Sequence, residues 1–233
     1  MFVPLRDVGN PIQSIPWPYV THAIITVNIL VFIILNTTSV EEGVGTLLYL
    51  SFHHGPVELQ PGMPYAGPQL PGPLAAVTSA FVHVDFMHLL GNMLFLWVFG
   101  DNIEDALGHA RFLAFYLVTA VAAAYAQAFF TDPGYILYGA SGAVSGVIVA
   151  FMMLHPNVRV WILVLMKIPV PVSALWAIGA WVLFQFFNVL VADTDPGVGW
   201  WAHVGGIIAG AILLPLLKRP DVRLFDRGPQ RPA

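Results

Sequence analysis

The 233-residue chain is 58% hydrophobic and only 9% charged, against about 25% charged in an ordinary soluble domain, which excludes a water-soluble globule. Nine Lys and Arg against thirteen Asp and Glu leave a net charge of −4, too little positive charge to neutralise a nucleic-acid backbone, so nucleic acid is excluded as a partner class. With no cysteine, disulfides, thiolate metal sites and a cysteine nucleophile are all ruled out.

Residues 1–18 are proline-rich, carry one basic residue, Arg6, and lack the charged start and short apolar core of a cleavable signal. Residues 1–20 are therefore expected to form an N-terminal tail and the first apolar stretch to be retained. Six apolar stretches follow, at 21–35, 81–100, 112–130, 139–154, 172–192 and 201–217. Helices are expected for all six, because backbone in lipid must satisfy its own hydrogen bonds and no long alternating pattern suggests a barrel. A shorter run, 158–172, is interrupted by Lys167, Pro169 and Pro171 and is expected to be looped or interfacial rather than spanning. Between the first two stretches lies a long loop, 38–80, holding Pro56, Pro61, Pro64, Pro68, Pro71 and Pro73, as in an ordered cap or a lid.

The basic residues set an orientation. In a six-span arrangement Arg6, Arg111, Arg159, Lys167, Lys218, Arg219, Arg223, Arg227 and Arg231 all fall on one side, whereas Glu41, Glu42, Glu58, Asp132, Asp193 and Asp195 fall on the other. Positive charge stays inside, so both termini are expected in the cytoplasm and the long first loop outside. A seven-span arrangement would scatter this partition. The expected organisation is a membrane domain over 21–217 and a basic cytoplasmic tail over 218–233, in a cell (plasma or inner) membrane.

Polar groups inside spans are costly and are functional candidates by default. At 1.5 Å per residue, Ser141, His203 and His88 each lie roughly 20–22 Å above the inner boundary, one shared level in a core of about 30 Å. Ser141 and His203 supply a hydroxyl and an imidazole base. His88 and Asn92, at i and i+4 on one helix face, are candidate oxyanion donors, together with the Ser141 backbone at a helix start. Gly139, Gly142 and Gly146, with Gly206 and Gly210, form small-residue faces that let the fourth and sixth helices touch. His83 lies about 140° round an ideal helix from His88 and is expected to serve as a supporting or cap residue. His53, His54 and Glu58 are expected to be solvated loop residues rather than a metal site. No His-Glu-x-x-His pattern occurs, so a metalloprotease is disfavoured.

The motifs Gly139-Ala140-Ser141-Gly142, His88-Leu89-Leu90-Gly91-Asn92 and Ala202-His203-Val204-Gly205-Gly206 with Gly210, in this order, resemble the signatures of rhomboid intramembrane serine proteases. The resemblance implies an all-α, six-transmembrane-helix rhomboid-like bundle with no cofactor. It also implies Ser141 as nucleophile, His203 as general base, and His88, Asn92 and the Ser141 backbone as oxyanion donors. Transmembrane proteins in the lipid bilayer would be the substrates. The 100–108 segment resembles the family's acidic turn, in which Glu104 is structural, and the aromatic residues Trp176, Trp181, Phe184, Phe186 and Phe187 resemble a lateral gate. Two positions differ, the first from many members and the second from some. The Trp-Arg pair before the second helix is replaced by Pro73-Leu74-Ala75-Ala76-Val77-Thr78, and the aromatic residue one turn after the nucleophile is replaced by Ser145. The competing expectation is a transporter, channel or membrane chaperone that uses the polar layer without bond cleavage.

Overall fold

A computed structural model of the chain describes residues 3–7, 12, 14–60, 63–164, 167–191 and 198–226. Strand β1 (Val3–Asp7) precedes α1 (Tyr19–Thr37) and α2 (Val40–Leu50). The short strands β2 (Phe52–His53), β3 (Glu58–Gln60) and β4 (Met63–Pro64) lead to α3 (Gly72–Thr78), α4 (Phe86–Leu107) and α5 (His109–Phe130). Then come β5 (Ile136–Leu137), α6 (Ser141–Leu154), the hairpin β6 (Arg159–Val164) and β7 (Ile168–Ser173), α7 (Ala174–Val191) and α8 (Trp200–Leu217). Asp193, Asp195, Arg227 and Arg231 of the charge partition lie outside the described residues.

Each of the six apolar stretches holds a helix, with later starts at three of them, the fifth beginning at Ala174 because residues 172–173 belong to β7. The stretch from residue 81 becomes α-helical only at Phe86, because Asp85 is extended and its carboxylate accepts the His88 amide at 2.7 Å, an N-cap. His83 is therefore outside the helix, and the angular argument applied to it fails. The fourth begins at Ser141, since Gly139 has φ +111°, a conformation open to glycine but not to a helix.

Among the described residues, four helices, α1, α5, α7 and α8, are long and apolar enough to cross a membrane, and α4 joins them if it is taken as one broken span with the preceding 72–81 segment, to which it is bent by 91°. Helix α6 has 14 residues, about 21 Å of helix against a hydrocarbon core of about 30 Å. It is also the centre of the bundle, packed against α4, α5, α7 and α8 and buried at Leu154 and from Gly142 to Phe151. A short central helix places its first residue, Ser141, below the tops of its longer neighbours.

The run at 158–172 is not helical. It forms the β6–β7 hairpin, which β1 extends to a three-stranded antiparallel sheet in the order β1, β6, β7. One end of the bundle is closed by buried carboxylates. Asp105 accepts the amides of Ser14 and Ile15 at 3.0 Å and lies 3.5 Å from the Arg219 guanidinium. Residues 219–226 fold back under α6, where the amides of Phe225 and Asp226 donate to the carbonyls of Met153 and Leu154 and satisfy acceptors that a helix C-terminus leaves open. Residues 14–15 and 219–226 thus sit at the end of the bundle opposite Ser141.

His155, just past α6, is buried at 5% exposure, and burial pushes its imidazole down to about 4 against the opposing pull of Asp226 and Asp105. In the unfolded chain it protonates near 6.5. Between these values the unfolded state binds a proton the native state does not, so stability is expected to fall by about 1.4 kcal/mol per pH unit as pH drops from 6.5 toward 4. Thermal melts in detergent across that range, compared with His155→Gln, should show the shallower slope in the variant.

The cap lacks the Trp-Arg pair, and another anchor is visible. Strand β2 pairs with β5, through Phe52 with Leu137 and His53 with Ile136. The Gly134 amide donates to the His54 carbonyl at 2.8 Å, and Gly55 closes against Pro133. Phe52, Ala75, Ala76 and Ala124 form a small buried cluster, with Tyr125 edge-on to Phe52. The first loop is thereby pinned to α5 and to the strand leading into Ser141.

Candidate active site

The site is assembled at the tops of α4, α6, α7 and α8. Ser141 Oγ lies 2.9 Å from His203 Nε2. Glycines make this distance possible. A Cβ added at Gly206 would stand 1.9 Å from the Gly142 carbonyl oxygen, and one at Gly210 would stand 2.5 Å from Gly146 Cα. Backbone thus meets backbone where α6 crosses α8, leaving only the length of one serine side chain to the imidazole.

Ser141 opens α6 behind Ala140, whose side chain has no acceptor to cap the first turn. The first-turn N–H groups of α6, which have no intrahelical acceptor, therefore lie beside the hydroxyl, at the positive end of the helix dipole. The chain enters this turn through Gly139, whose amide donates to the Ser79 carbonyl at 2.9 Å. A Cβ at Gly139 would stand 2.6 Å from His88 Cε1, so the His88 ring covers the approach to the serine.

His88 and Asn92 are placed differently from one another. The Asn92 amide nitrogen is 3.0 Å from His83 Nε2 and 3.1 Å from the His88 carbonyl, so its donors are directed there rather than at Ser141. His83 is fully buried, accepts a long bond (3.4 Å) from the Ala140 amide, and stacks edge-on with His88. It thus links Asn92 to the residue preceding the serine. Ser145 is buried and turns its hydroxyl back to the Ser141 carbonyl at 2.6 Å.

Two glutamines escaped the reading of the sequence. Gln185 on α7 is 2% exposed, and its Oε1 lies 2.8 Å from His203 Nδ1. Gln127 on α5 accepts the Ala202 amide at 2.9 Å, holding the first turn of α8 just before His203. The signal was present, since both are amides inside apolar stretches. The edge of Trp200 also contacts the His203 ring. Of the aromatic row of α7, Trp176, Phe184 and Phe187 are exposed at 74%, 51% and 59%, whereas Trp181 packs partly buried against the core. Chemically, the arrangement offers a hydroxyl with a base, a base with an oriented ring, and a field of N–H donors.

The family model described as Rhomboid domain matches residues 73–220. The chain is 31% identical over 149 residues to Rhomboid protein 1, mitochondrial, of Saccharomyces cerevisiae, covering 60% of this chain and 40% of that protein. It is 28% identical over 164 residues to RHOMBOID-like protein 12, mitochondrial, of Arabidopsis thaliana, covering 63% and 47% respectively. Rhomboid protease GlpG of Salmonella choleraesuis is 28% identical over 142 residues, with 57% and 44% covered. The chain therefore spans less than half the length of these relatives.

Proposed function

Because the chain belongs to the rhomboid family, we propose that it is an intramembrane serine endopeptidase that hydrolyses peptide bonds in or beside transmembrane helices of other membrane proteins. The observation that carries this reading is the 2.9 Å approach of Ser141 Oγ to His203 Nε2 beside the uncapped start of α6. A serine at its ordinary pKa is a poor nucleophile and needs such a base. Six spans, with both termini cytoplasmic and the cap outside, complete the proposal, and the integral membrane position is that of a plasma or inner membrane.

In the proposed reaction the Ser141 hydroxyl adds to the scissile carbonyl as His203 Nε2 takes its proton, and His203 then returns the proton to the departing amine. The tetrahedral oxyanion is held by first-turn amides of α6 with the His88 ring as side-chain donor, and Asn92 joins them when its amide turns from His83 and the His88 carbonyl toward the substrate. Water entering from the outer face under the cap hydrolyses the acyl-enzyme. A regular helix hides its carbonyls in hydrogen bonds, so the substrate class is helices weakened by small residues near the cut.

The test is labelling of detergent-purified protein by a fluorophosphonate probe, paired with cleavage of a reconstituted helix substrate. Ser141→Ala should abolish both. Labelling that survives Ser141→Ala, or cleavage lost on adding chelator, would overturn the reading.

A further inference from the structure

The dyad leaves unexplained what holds the imidazole in the tautomer a general base requires. Nε2 must be unprotonated to accept from Ser141, so the proton must sit on Nδ1 and must be kept there. In some members of the family an aromatic residue packs under this ring, and here that position is Ser145, whose hydroxyl bonds its own helix.

We infer that Gln185 of α7 is the positioning residue for His203, an acceptor that fixes the base's tautomer and makes the working unit a Ser–His–Gln relay spread over three helices. This rests on the proposed dyad. The Gln185 Nε2 group donates to the Trp181 carbonyl, 3.3 Å away, and a carbonyl can only accept. That contact settles which way the amide faces and leaves Oε1, an acceptor, 2.8 Å from His203 Nδ1. An acceptor opposite Nδ1 draws the ring proton to Nδ1, and Nε2 is left with its lone pair toward Ser141 Oγ. The logic is that of an orienting carboxylate in a catalytic triad, carried by a neutral group that can be buried in lipid at far lower cost.

The placement on α7 adds a consequence. The buried side chains of α7 are Ala174, Ala177, Ile178 and Gln185, so Gln185 is the one polar group among them. Its neighbours Leu183, Phe184, Phe186 and Phe187 are exposed. The bond to His203, beside the Phe184–Trp200–His203 ring contacts, ties the position of α7 to the proton-transfer chemistry.

The experiment compares purified wild type, Gln185→Met, Gln185→Glu and Asn188→Leu. Methionine keeps the length and removes the acceptor, whereas a protonated glutamate reproduces the amide, its O–H donating to the Trp181 carbonyl and its C=O accepting from Nδ1. Asn188, half-buried and bonded to the Phe184 carbonyl, is the control on the same helix. Gln185→Met should lower kcat about tenfold or more, the equivalent of about one net hydrogen bond, with KM unchanged. Gln185→Glu should restore most of that loss, and Asn188→Leu should match wild type.

Independently of any variant at Gln185, 15N-histidine NMR of the wild-type protein should show the signal that disappears in His203→Gln as an Nδ1–H imidazole. An Nε2–H tautomer, or a Gln185→Met enzyme that is folded by its melting curve and has wild-type kcat, would overturn the inference. If instead wild type itself carries no Ser141-dependent label, it is the dyad that fails.

Discussion

Gly206→Ala is expected to eliminate cleavage and probe labelling while a folded, less stable protein remains. The added methyl carbon would stand 1.9 Å from the Gly142 carbonyl oxygen, well inside contact distance, and the atom it meets is backbone that cannot rotate away. Helices α6 and α8 must then part by an ångström or more. Overpacking of this kind costs about 1–3 kcal/mol, yet the functional loss should be larger, since a displacement of about 1 Å between reacting groups costs on the order of 100-fold in rate. A control comes from Gly45→Ala in α2, where the new carbon would meet open space and a helix-interior glycine is being replaced by the best helix former. Wild-type labelling by Gly206→Ala would mean that the dyad does not depend on this crossing.

Glu104→Ala should produce the largest loss of stability. The N-terminus of α1 follows Pro18, which offers no capping side chain. The acceptor is supplied across 83 residues of sequence by Glu104, which takes the Thr21 amide at 2.7 Å, the Thr21 hydroxyl at 2.7 Å and, through its other oxygen, the Val20 amide at 2.9 Å. His109 contacts the same carboxylate. Removing a fully buried acceptor strands several donors at once, and breaking a buried network of this type costs about 3–5 kcal/mol. The expected readout is a lowered midpoint in thermal or detergent denaturation, with Glu104→Gln intermediate because it retains one acceptor oxygen. An unchanged midpoint for Glu104→Ala would show that α1 is held by packing alone.

Much of this molecule was legible before any coordinates. The apolar stretches locate every long helix because lipid imposes one local rule on each segment separately. The helix starts moved at the Asp85 cap and at Gly139, where a local signal outweighed apolarity, and at Ala174, where residues 172–173 pair in β7. Motif spacing singled out Ser141, His203, His88 and Asn92, and glycine spacing anticipated a crossing of the fourth and sixth helices. The expectation of a looped or interfacial 158–172 segment contained no hint of the sheet that the segment forms. Its third strand is β1, about 150 residues distant, and Pro169 and Pro171 in the hairpin speak against strand until one notes that β7 is an edge.

The partners of the site residues were less accessible. Gln185 and Gln127 stand in apolar runs and met the same criterion that selected His88, yet an amide in a span does not announce what it faces. Asn92 illustrates the converse, since its place at i+4 from His88 was sound but its amide is directed to His83, a residue taken off the helix by the Asp85 cap.

Composition and residue order alone therefore established a membrane-embedded helical chain with a serine and a histidine at a common depth, because burial, charge placement and helical rise act within single segments. The folded chain settled which groups touch: Ser141 with His203, His203 with Gln185, Asn92 with His83, and the first loop with β5. Hydrogen bonds act over about 3 Å, and whether two side chains from different helices come that close depends on crossings set by glycine contacts far apart in sequence.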